Sequence, residues 1–327
     1  MYQRPNIVVG DSAGLTSTAT KLLGADAFST ILSCNHSIDD LLTIFKSTDC
    51  IITDADGTVV KEGFTEFPKE YANNIQQLSD KGITSILITG KPYAEVSELV
   101  ASLPTNSPIR IIYEKGAYYL KPDSTGIMRK TYLLSTPELE SNVLELRKLF
   151  IEHKTAIESK YRDDTGRQLL TLGWAGSGTH QSLLSIDIFA GTLPENYLQI
   201  QGTARGDLRL KDPILLAQIE ADLQTFVDKF KPGWKLINVG NGNSEITPVG
   251  IEKDLAIKQL DEFKNAHGVL VWGDSGNDRK MFDLRRLPKV HSGLVLHRKT
   301  SINLVSDVDF VSFGMANARP FFELLLN

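Results

Sequence analysis

Short apolar runs punctuate the chain at residues 6–10, 49–53, 84–89, 109–113 and 268–272. Each is too short for a packed helix and too uniformly apolar for a half-exposed strand. Such runs suit strands of a parallel sheet covered on both faces. Between them the period changes. After Pro68, apolar residues recur at Tyr71, Ile75 and Leu78 and stop at Gly82. After Pro92, Val96, Leu99 and Val100 share one helical face. A proline opening and a glycine stop are helix punctuation. Strand alternating with helix predicts an α/β fold with a doubly wound, Rossmann-like parallel sheet.

The middle of the chain departs from this rhythm. A helix is expected over 137–154, an alternating strand over 183–189 and a second helix over 212–230. A strand pair is expected at 234–238 and 244–247, before a helix over 253–263 leads back to the apolar run at 268–272. This order describes an inserted α+β domain. The expected division is residues 1–47 as an extension that adds to the sheet or packs on its edge, 48–116 as the first part of the core, 117–244 as the insert and 245–327 as the rest of the core. The Gly-rich run 239–244 reads as a hairpin turn, since no helix follows it.

Composition narrows the class. The chain has 327 residues, 41% hydrophobic and 23% charged, as in globular proteins of about two domains. A net charge of -5 without blocks of like charge gives no pull on nucleic acid or anionic lipid. Two cysteines, Cys34 and Cys50, make no disulfide framework. No run reaches the roughly 18 apolar residues of a membrane span. Met1-Tyr2-Gln3-Arg4-Pro5 opens no secretion signal, so Asn35-His36-Ser37 reads as a chance glycosylation match and a cytoplasmic location is expected. A monomer and a homodimer are both compatible with these features.

Four constellations carry candidate chemistry. Asp54-Ala55-Asp56-Gly57-Thr58 follows an apolar run, and ligands of open α/β sheets bind beyond the carboxyl ends of strands. One carboxylate there can attack while the other handles protons. Thr89 and Gly90 end another strand and offer a hydroxyl and an N–H to an anion. Lys253 lies near a helix start, where it would ordinarily be a surface charge. Gly273-Asp274-Ser275-Gly276-Asn277-Asp278 ends a further strand, and its carboxylates can hold a hard cation through oxygen. Two acidic strand ends side by side would repel unless a cation separates them. Nucleophile, hydroxyl, lysine and acidic cation site are together what phosphoryl transfer requires.

The chain resembles the haloacid dehalogenase superfamily of phosphohydrolases. Asp54, Asp56, Gly57 and Thr58 match its D-x-D-G-T motif, Thr89-Gly90 its second motif, Lys253 its third, and Gly273, Asp274, Asn277 and Asp278 its G-D-x-x-N-D motif. The position and size of the insert resemble the C2-type cap of subclass IIB, which includes phosphatases of sucrose phosphate, trehalose phosphate and mannosyl phosphoglycerate. The resemblance covers about residues 48–327. It implies Asp54 as nucleophile and Asp56 as acid and base. It implies Thr89, Gly90, Lys253 and Asn277 around the phosphoryl oxygens. Mg²⁺ would be held by Asp54, the carbonyl of Asp56 and Asp274, with Asp278 behind. Lys115 replaces the asparagine of a family Asn-Gly-Ala segment, and Asp254 stands where glycine often follows the lysine. Lys115, Arg162, Arg167, His180, Asn241 and Asn243 are candidates for substrate contact. The implied partner is a small phosphate ester, with a sugar phosphate foremost. A phosphomutase of the same fold and a non-catalytic sugar-phosphate-binding protein are the alternatives.

Overall fold

A computed structural model of the chain describes residues 5–10, 17–19, 21–22, 29–34, 36–61, 64–174, 180–194, 207–240, 242–298, 300 and 302–327. The chain divides into two compact units. One comprises Met1–Gly90, Glu95–Leu133 and Glu252–Asn327; the other comprises Lys91–Ala94 and Leu134–Ile251.

In chain order the strands begin with β1 (Asn6–Gly10), β2 (Thr30–Cys34), β3 (Cys50–Asp54), β4 (Thr84–Ile88) and β5 (Arg110–Tyr113). Next come β6 (Tyr118–Pro122), β7 (Met128–Tyr132), β8 (Leu170–Trp174), β9 (Leu184–Ala190), β10 (Trp234–Gly240) and β11 (Asn243–Pro248). The last are β12 (Val269–Gly273), β13 (Val290–Leu296) and β14 (Phe310–Phe313). The principal helices are α1 (Ile38–Ser47), α2 (Lys69–Asp80), α3 (Tyr93–Ala101), α4 (Pro137–Glu158), α5 (Pro213–Phe230), α6 (Lys253–Gln259), α7 (Asp261–Asn265) and α8 (Arg319–Leu326). No described helix is long and apolar enough to cross a membrane.

The first unit is built on a ten-stranded sheet in the order β1-β2-β14-β13-β12-β3-β4-β5-β6-β7. Its centre, β13-β12-β3-β4, is parallel throughout. Every residue of β3 and β12 is buried, as the uniform apolar runs require. Helix α2 buries Tyr71, Ala72, Ile75 and Leu78, and the chain leaves it at Gly82 with φ +80°, the left-handed conformation glycine adopts without cost. At the centre, the Trp272 indole is fully buried, with the rings of Phe321 and Phe322 of α8 each 5.0 Å away. Aromatic pairs at this spacing add about 0.5–1.5 kcal/mol beyond the area they bury. Strands β1 and β2 extend the sheet, with β2 antiparallel to β14.

Several features differ from the expected pattern. The compact insert starts at Leu134, not near 117, because β6 and β7 form a hairpin that pairs antiparallel onto β5. Its turn is set by Asp123, whose carboxylate accepts the N–H groups of Thr125 (2.8 Å) and Ile127 (3.1 Å), and by Gly126 at φ +81°. The expected helix over 253–263 is two helices, broken at Leu260 in extended conformation. Ala256, Ile257, Leu260 and Phe263 keep a 3.6-residue period across the break, so the pattern cannot reveal it. The restart sets Asp261 and Glu262 in the first turn of α7, where carboxylates oppose the helix dipole favourably. Glu262 there receives Tyr119 Oη at 2.9 Å and pairs with Arg110 at 3.1 Å.

The second unit contains a four-stranded antiparallel sheet in the order β10-β11-β9-β8. Helices α4 and α5 pack on it through Leu146, Phe150, Leu223 and Phe226 against Leu172 and Ile186. Both helices begin with proline behind a capping side chain. Thr136 accepts the Leu139 N–H at 3.1 Å, and Asp212 accepts the Ile214 N–H at 2.9 Å. Helix α4 runs one turn beyond its expected end, to Glu158, whose carboxylate accepts the Leu172 N–H at 2.7 Å.

Candidate active site

Register places the candidate residues. Asp54 is the last residue of β3 and pairs with Ile88, so Thr89 follows one step beyond on β4. Thr53 pairs with Trp272, and Asp274 comes directly after the end of β12. On β13, Leu294 pairs with Gly273, and His297 follows the strand's last residue. Four neighbouring parallel strands thus present Thr89, Asp54, Asp274 and His297 from their carboxyl ends, where an open α/β sheet binds ligands.

The D-x-D-G-T segment is a tight loop. The Gly57 N–H donates to the Val60 carbonyl at 2.8 Å, and the N–H groups of Val59 and Val60 return to the Ala55 carbonyl at 3.0 and 2.9 Å. Gly57 has φ +78°, and a Cβ on it would lie 2.1 Å from Asp274 Oδ2. The two acidic strand ends therefore meet across a glycine that leaves no space for a side chain. Beside them, Thr53 Oγ1 and Tyr71 Oη lie 3.3 Å apart, tying β3 to α2 immediately before Asp54.

Asp54, Asp274 and Asp278 each offer a carboxylate oxygen, and these atoms lie within 4.8 Å of one another. All three residues are buried. Lys253, in the first turn of α6, reaches Asp54 Oδ1 at 2.5 Å and Asp278 Oδ1 at 2.7 Å. The other oxygen of Asp278 accepts the N–H groups of Asp274 (3.1 Å) and Ser275 (3.2 Å) and is held inward by them. His297 Nε2 lies 2.8 Å from Asp274 Oδ2, and since a carboxylate only accepts, the imidazole donates.

The electrostatics follow. Burial pushes the Asp54 carboxyl well above its ordinary range, and Asp278 adds to this; Lys253 pulls the other way, and Asp274 pushes it further up. Burial also raises Asp274, against the hydrogen bond from His297. Burial alone would depress Lys253, but Asp278 and Asp54 outweigh it and hold the ammonium charged. Three carboxyl groups crowd around a single ammonium, and a cation placed among them would favour their charged forms. An all-oxygen donor set of this kind fits a hard divalent cation.

The remaining candidates are distributed as follows. Thr89 is buried, and its carbonyl accepts the Lys115 N–H at 3.0 Å. Lys115 has φ +58° between Glu114 at +49° and Gly116 at +118°, a strained run that lays its side chain 3.8 Å from where a Cβ of Gly90 would be. Left-handed backbone there is a conformation asparagine tolerates better than lysine. Asp56 is half-buried and Asn277 exposed on the turn after β12. Asp254 is drawn to Lys258 one turn along α6, at 2.9 Å.

The other candidates belong to the second unit. Arg162 and Arg167 lie on an exposed turn; Arg162 Nη1 donates to the Gly166 carbonyl at 2.8 Å, and Arg167 pairs with Asp163 at 3.0 Å. His180 is buried, and its carbonyl accepts from Arg147. The Asn243 amide, also buried, donates to Asp187 Oδ1 at 3.0 Å, and Asp187 pairs with Arg209 at 2.7 Å. Asn241 lies outside the described residues, as does Asn35. His297 escaped the sequence reading. Its signal would have been a polar residue directly after a further apolar run, 290–296, in the position Asp54 and Asp274 hold after theirs.

The sequence profile of the haloacid dehalogenase-like hydrolases matches residues 51–287. A haloacid dehalogenase-like hydrolase from Bacteroides thetaiotaomicron is 16% identical, with a TM-score of 0.55 over 85% of this chain and 98% of that one. A Thermoplasma acidophilum protein is 18% identical, with a TM-score of 0.51 over 85% and 99%. A Bacteroides thetaiotaomicron protein described among phosphatases of the same superfamily is 14% identical, with a TM-score of 0.50 over 86% and 94%. At these identities the likeness concerns the fold. A search of the curated proteins finds no significant match. The fold and the carboxylate-lined strand ends define an α/β protein with an acidic, cation-compatible site at the carboxyl edge of its sheet. The chain belongs to the haloacid dehalogenase-like hydrolase family.

Proposed function

We propose that this hydrolase is a magnesium-dependent phosphatase that cleaves a small phosphate ester, a sugar phosphate foremost, through an aspartyl phosphate on Asp54. The observation that carries the reading is the Asp54 carboxylate at the end of β3, bonded to Lys253 and within 4.8 Å of the Asp274 and Asp278 oxygens. Asp54, Asp274 and the Asp56 carbonyl would hold the magnesium ion, with Asp278 fixing Asp274 and Lys253 behind them. Bound there, the ion supplies positive charge to the phosphoryl oxygens.

The protein's own groups perform the transfer. An Asp54 oxygen attacks phosphorus, and the bond from phosphorus to the ester oxygen breaks. Asp56 gives its proton to the departing alkoxide. Asp56 then takes a proton from water, whose oxygen attacks phosphorus and releases Asp54 and inorganic phosphate. Thr89, the Gly90 N–H, Lys253 and Asn277 bind the equatorial oxygens. In this reading the second unit is a cap that selects the leaving group, since the strand-end residues touch only the phosphoryl group. Strands β1 and β2, ahead of this core, extend its sheet.

Chelator-treated protein should release no phosphate from an aryl phosphate until Mg²⁺ is restored, and rates across a panel of sugar phosphates should differ by at least tenfold. Full activity without divalent cation would remove the ion from the reaction. Equal rates across the panel would remove the sugar.

A further inference from the structure

A second group of metal-ligating side chains lies at the opposite end of the sheet. His36 follows β2, His291 is the second residue of β13, and Asp309 immediately precedes β14. One ligand atom from each lies within 4.8 Å of the others. His297, just past the end of β13, is six residues along from His291, about 20 Å at the usual rise of roughly 3.3 Å, so this cluster is remote from the Asp54 site.

The imidazoles stand at ion-pair distance from Asp309 without closing to hydrogen bonds. His36 Nε2 is 3.6 Å from Asp309 Oδ1, and His291 Nδ1 is 3.9 Å from Asp309 Oδ2. Neither is a hydrogen bond. Where an imidazole in this protein does bond a carboxylate, at His297 and Asp274, the atoms close to 2.8 Å. Two donors each about 2.0–2.1 Å from a tetrahedral ion stand about 3.3–3.5 Å apart. The imidazoles approach different oxygens of Asp309, their rings meet edge-on with centroids 5.6 Å apart, and the printed nitrogen–oxygen separations are slightly wider than a bound ion would set.

The cluster is also held in place. Asp309 Oδ2 accepts the Ser292 N–H at 2.8 Å, the kind of outer bond that orients a ligating carboxylate. The Asp309 N–H donates to the Ser292 carbonyl at 2.9 Å, and the Cys34 N–H to the Asp309 carbonyl at 2.7 Å. Ser33 Oγ donates to the His36 carbonyl at 2.9 Å, and the Phe310 ring lies 5.7 Å from that of His36. All three side chains are 17–25% exposed, open enough for an ion and its remaining waters to enter.

We propose that His36, His291 and Asp309 form a second, structural cation site for a borderline transition-metal ion of the zinc class. Two imidazoles and one carboxylate suit zinc, cobalt or nickel and not magnesium or calcium. The ion would cross-link the connection between β2 and α1 to β13 and β14.

The test uses the chelator-treated full chain with Zn²⁺ and Co²⁺ alone as probes, in an Asp274→Asn background that disables the other carboxylate cluster. One equivalent of Zn²⁺ should bind, and Co²⁺ should give the visible absorption of a site with nitrogen ligands. His36→Gln and His291→Gln should each weaken binding at least about a hundredfold. In the parent chain, His36→Gln should leave phosphate release at saturating Mg²⁺ unchanged. Should a variant fail to fold, the imidazole ¹⁵N resonances of the intact protein decide: those of His36 and His291 shift on adding Zn²⁺ if the assignment is right. Undiminished Zn²⁺ binding in folded His36→Gln, or unmoved His36 and His291 resonances at saturating Zn²⁺, would overturn it.

Discussion

Gly57→Ala perturbs the candidate active site through one methyl group. The glycine has φ +78°, so an L side chain costs about 1 kcal/mol in backbone strain alone. The larger effect is steric. The added Cβ would stand 2.1 Å from Asp274 Oδ2 and 2.5 Å from Asp274 Cγ. Ordinary contact begins near 3.4 Å, so the carboxylate must retreat by roughly 1 Å, a misplacement that can cost about a hundredfold in rate. Asp274 cannot move freely, because His297 holds the same oxygen at 2.8 Å. We expect kcat/KM for a phosphate ester to fall at least about a hundredfold, equivalent to about 2.7 kcal/mol, with a higher Mg²⁺ midpoint and a modest drop in Tm. The assay is phosphate release across a Mg²⁺ titration, beside thermal unfolding. A folded Gly57→Ala protein with parental kcat/KM and Mg²⁺ midpoint would refute the reasoning that Asp274 must sit where the glycine leaves it.

Three further outcomes are expected. His297→Ala removes the donor that fixes Asp274 and should weaken Mg²⁺ about 10–100-fold, read as a shifted Mg²⁺ midpoint, while the rate at saturating Mg²⁺ stays within several-fold of the parent. Asp274→Asn should stabilise the ion-free protein at neutral pH. Burial raises this carboxyl's native pKa, so its contribution is most favourable below the unfolded value of about 4 and is lost as pH rises through the raised native one. The gain over the parent in Tm should therefore shrink toward zero in acid; a gain that grows in acid would reverse the sign assigned to Asp274. Removing residues 134–251 and joining the ends with a short linker should keep slow hydrolysis of an aryl phosphate and erase preference among sugar phosphates, and a trimmed, folded enzyme with the parental ranking would place specificity elsewhere.

Much of the central sheet was legible because β3, β4 and β12 are buried on both faces and leave uniform apolar runs. Asp54 and Asp274 were legible because carboxylates directly after such runs have few structural uses. The hairpin β6–β7 was harder: Met128–Tyr132 is a mostly exposed edge strand with only Met128 and Tyr132 apolar, and the turn residues Asp123 and Gly126 mark it more clearly. The break at Leu260 leaves the hydrophobic period intact and so leaves no trace in it. His297 and Asn243 show a general ambiguity. A polar residue type does not reveal whether its side chain meets solvent, a substrate or a buried partner. His297 meets Asp274 and Asn243 meets Asp187, and only the packed strands bring those partners together.

The proposed chemistry rests on a covalent bond between Asp54 and phosphorus. Parent protein and Asp56→Asn can be mixed with Mg²⁺ and a phosphorylated substrate, quenched in acid within milliseconds and digested for peptide mass mapping. The account predicts a phosphoryl adduct on the Asp54 carboxylate, more abundant in Asp56→Asn because the base for its hydrolysis is missing. Asp54→Asn should show no adduct and at least about a thousandfold slower turnover. An adduct on another residue, or undiminished phosphate release by Asp54→Asn, would contradict it.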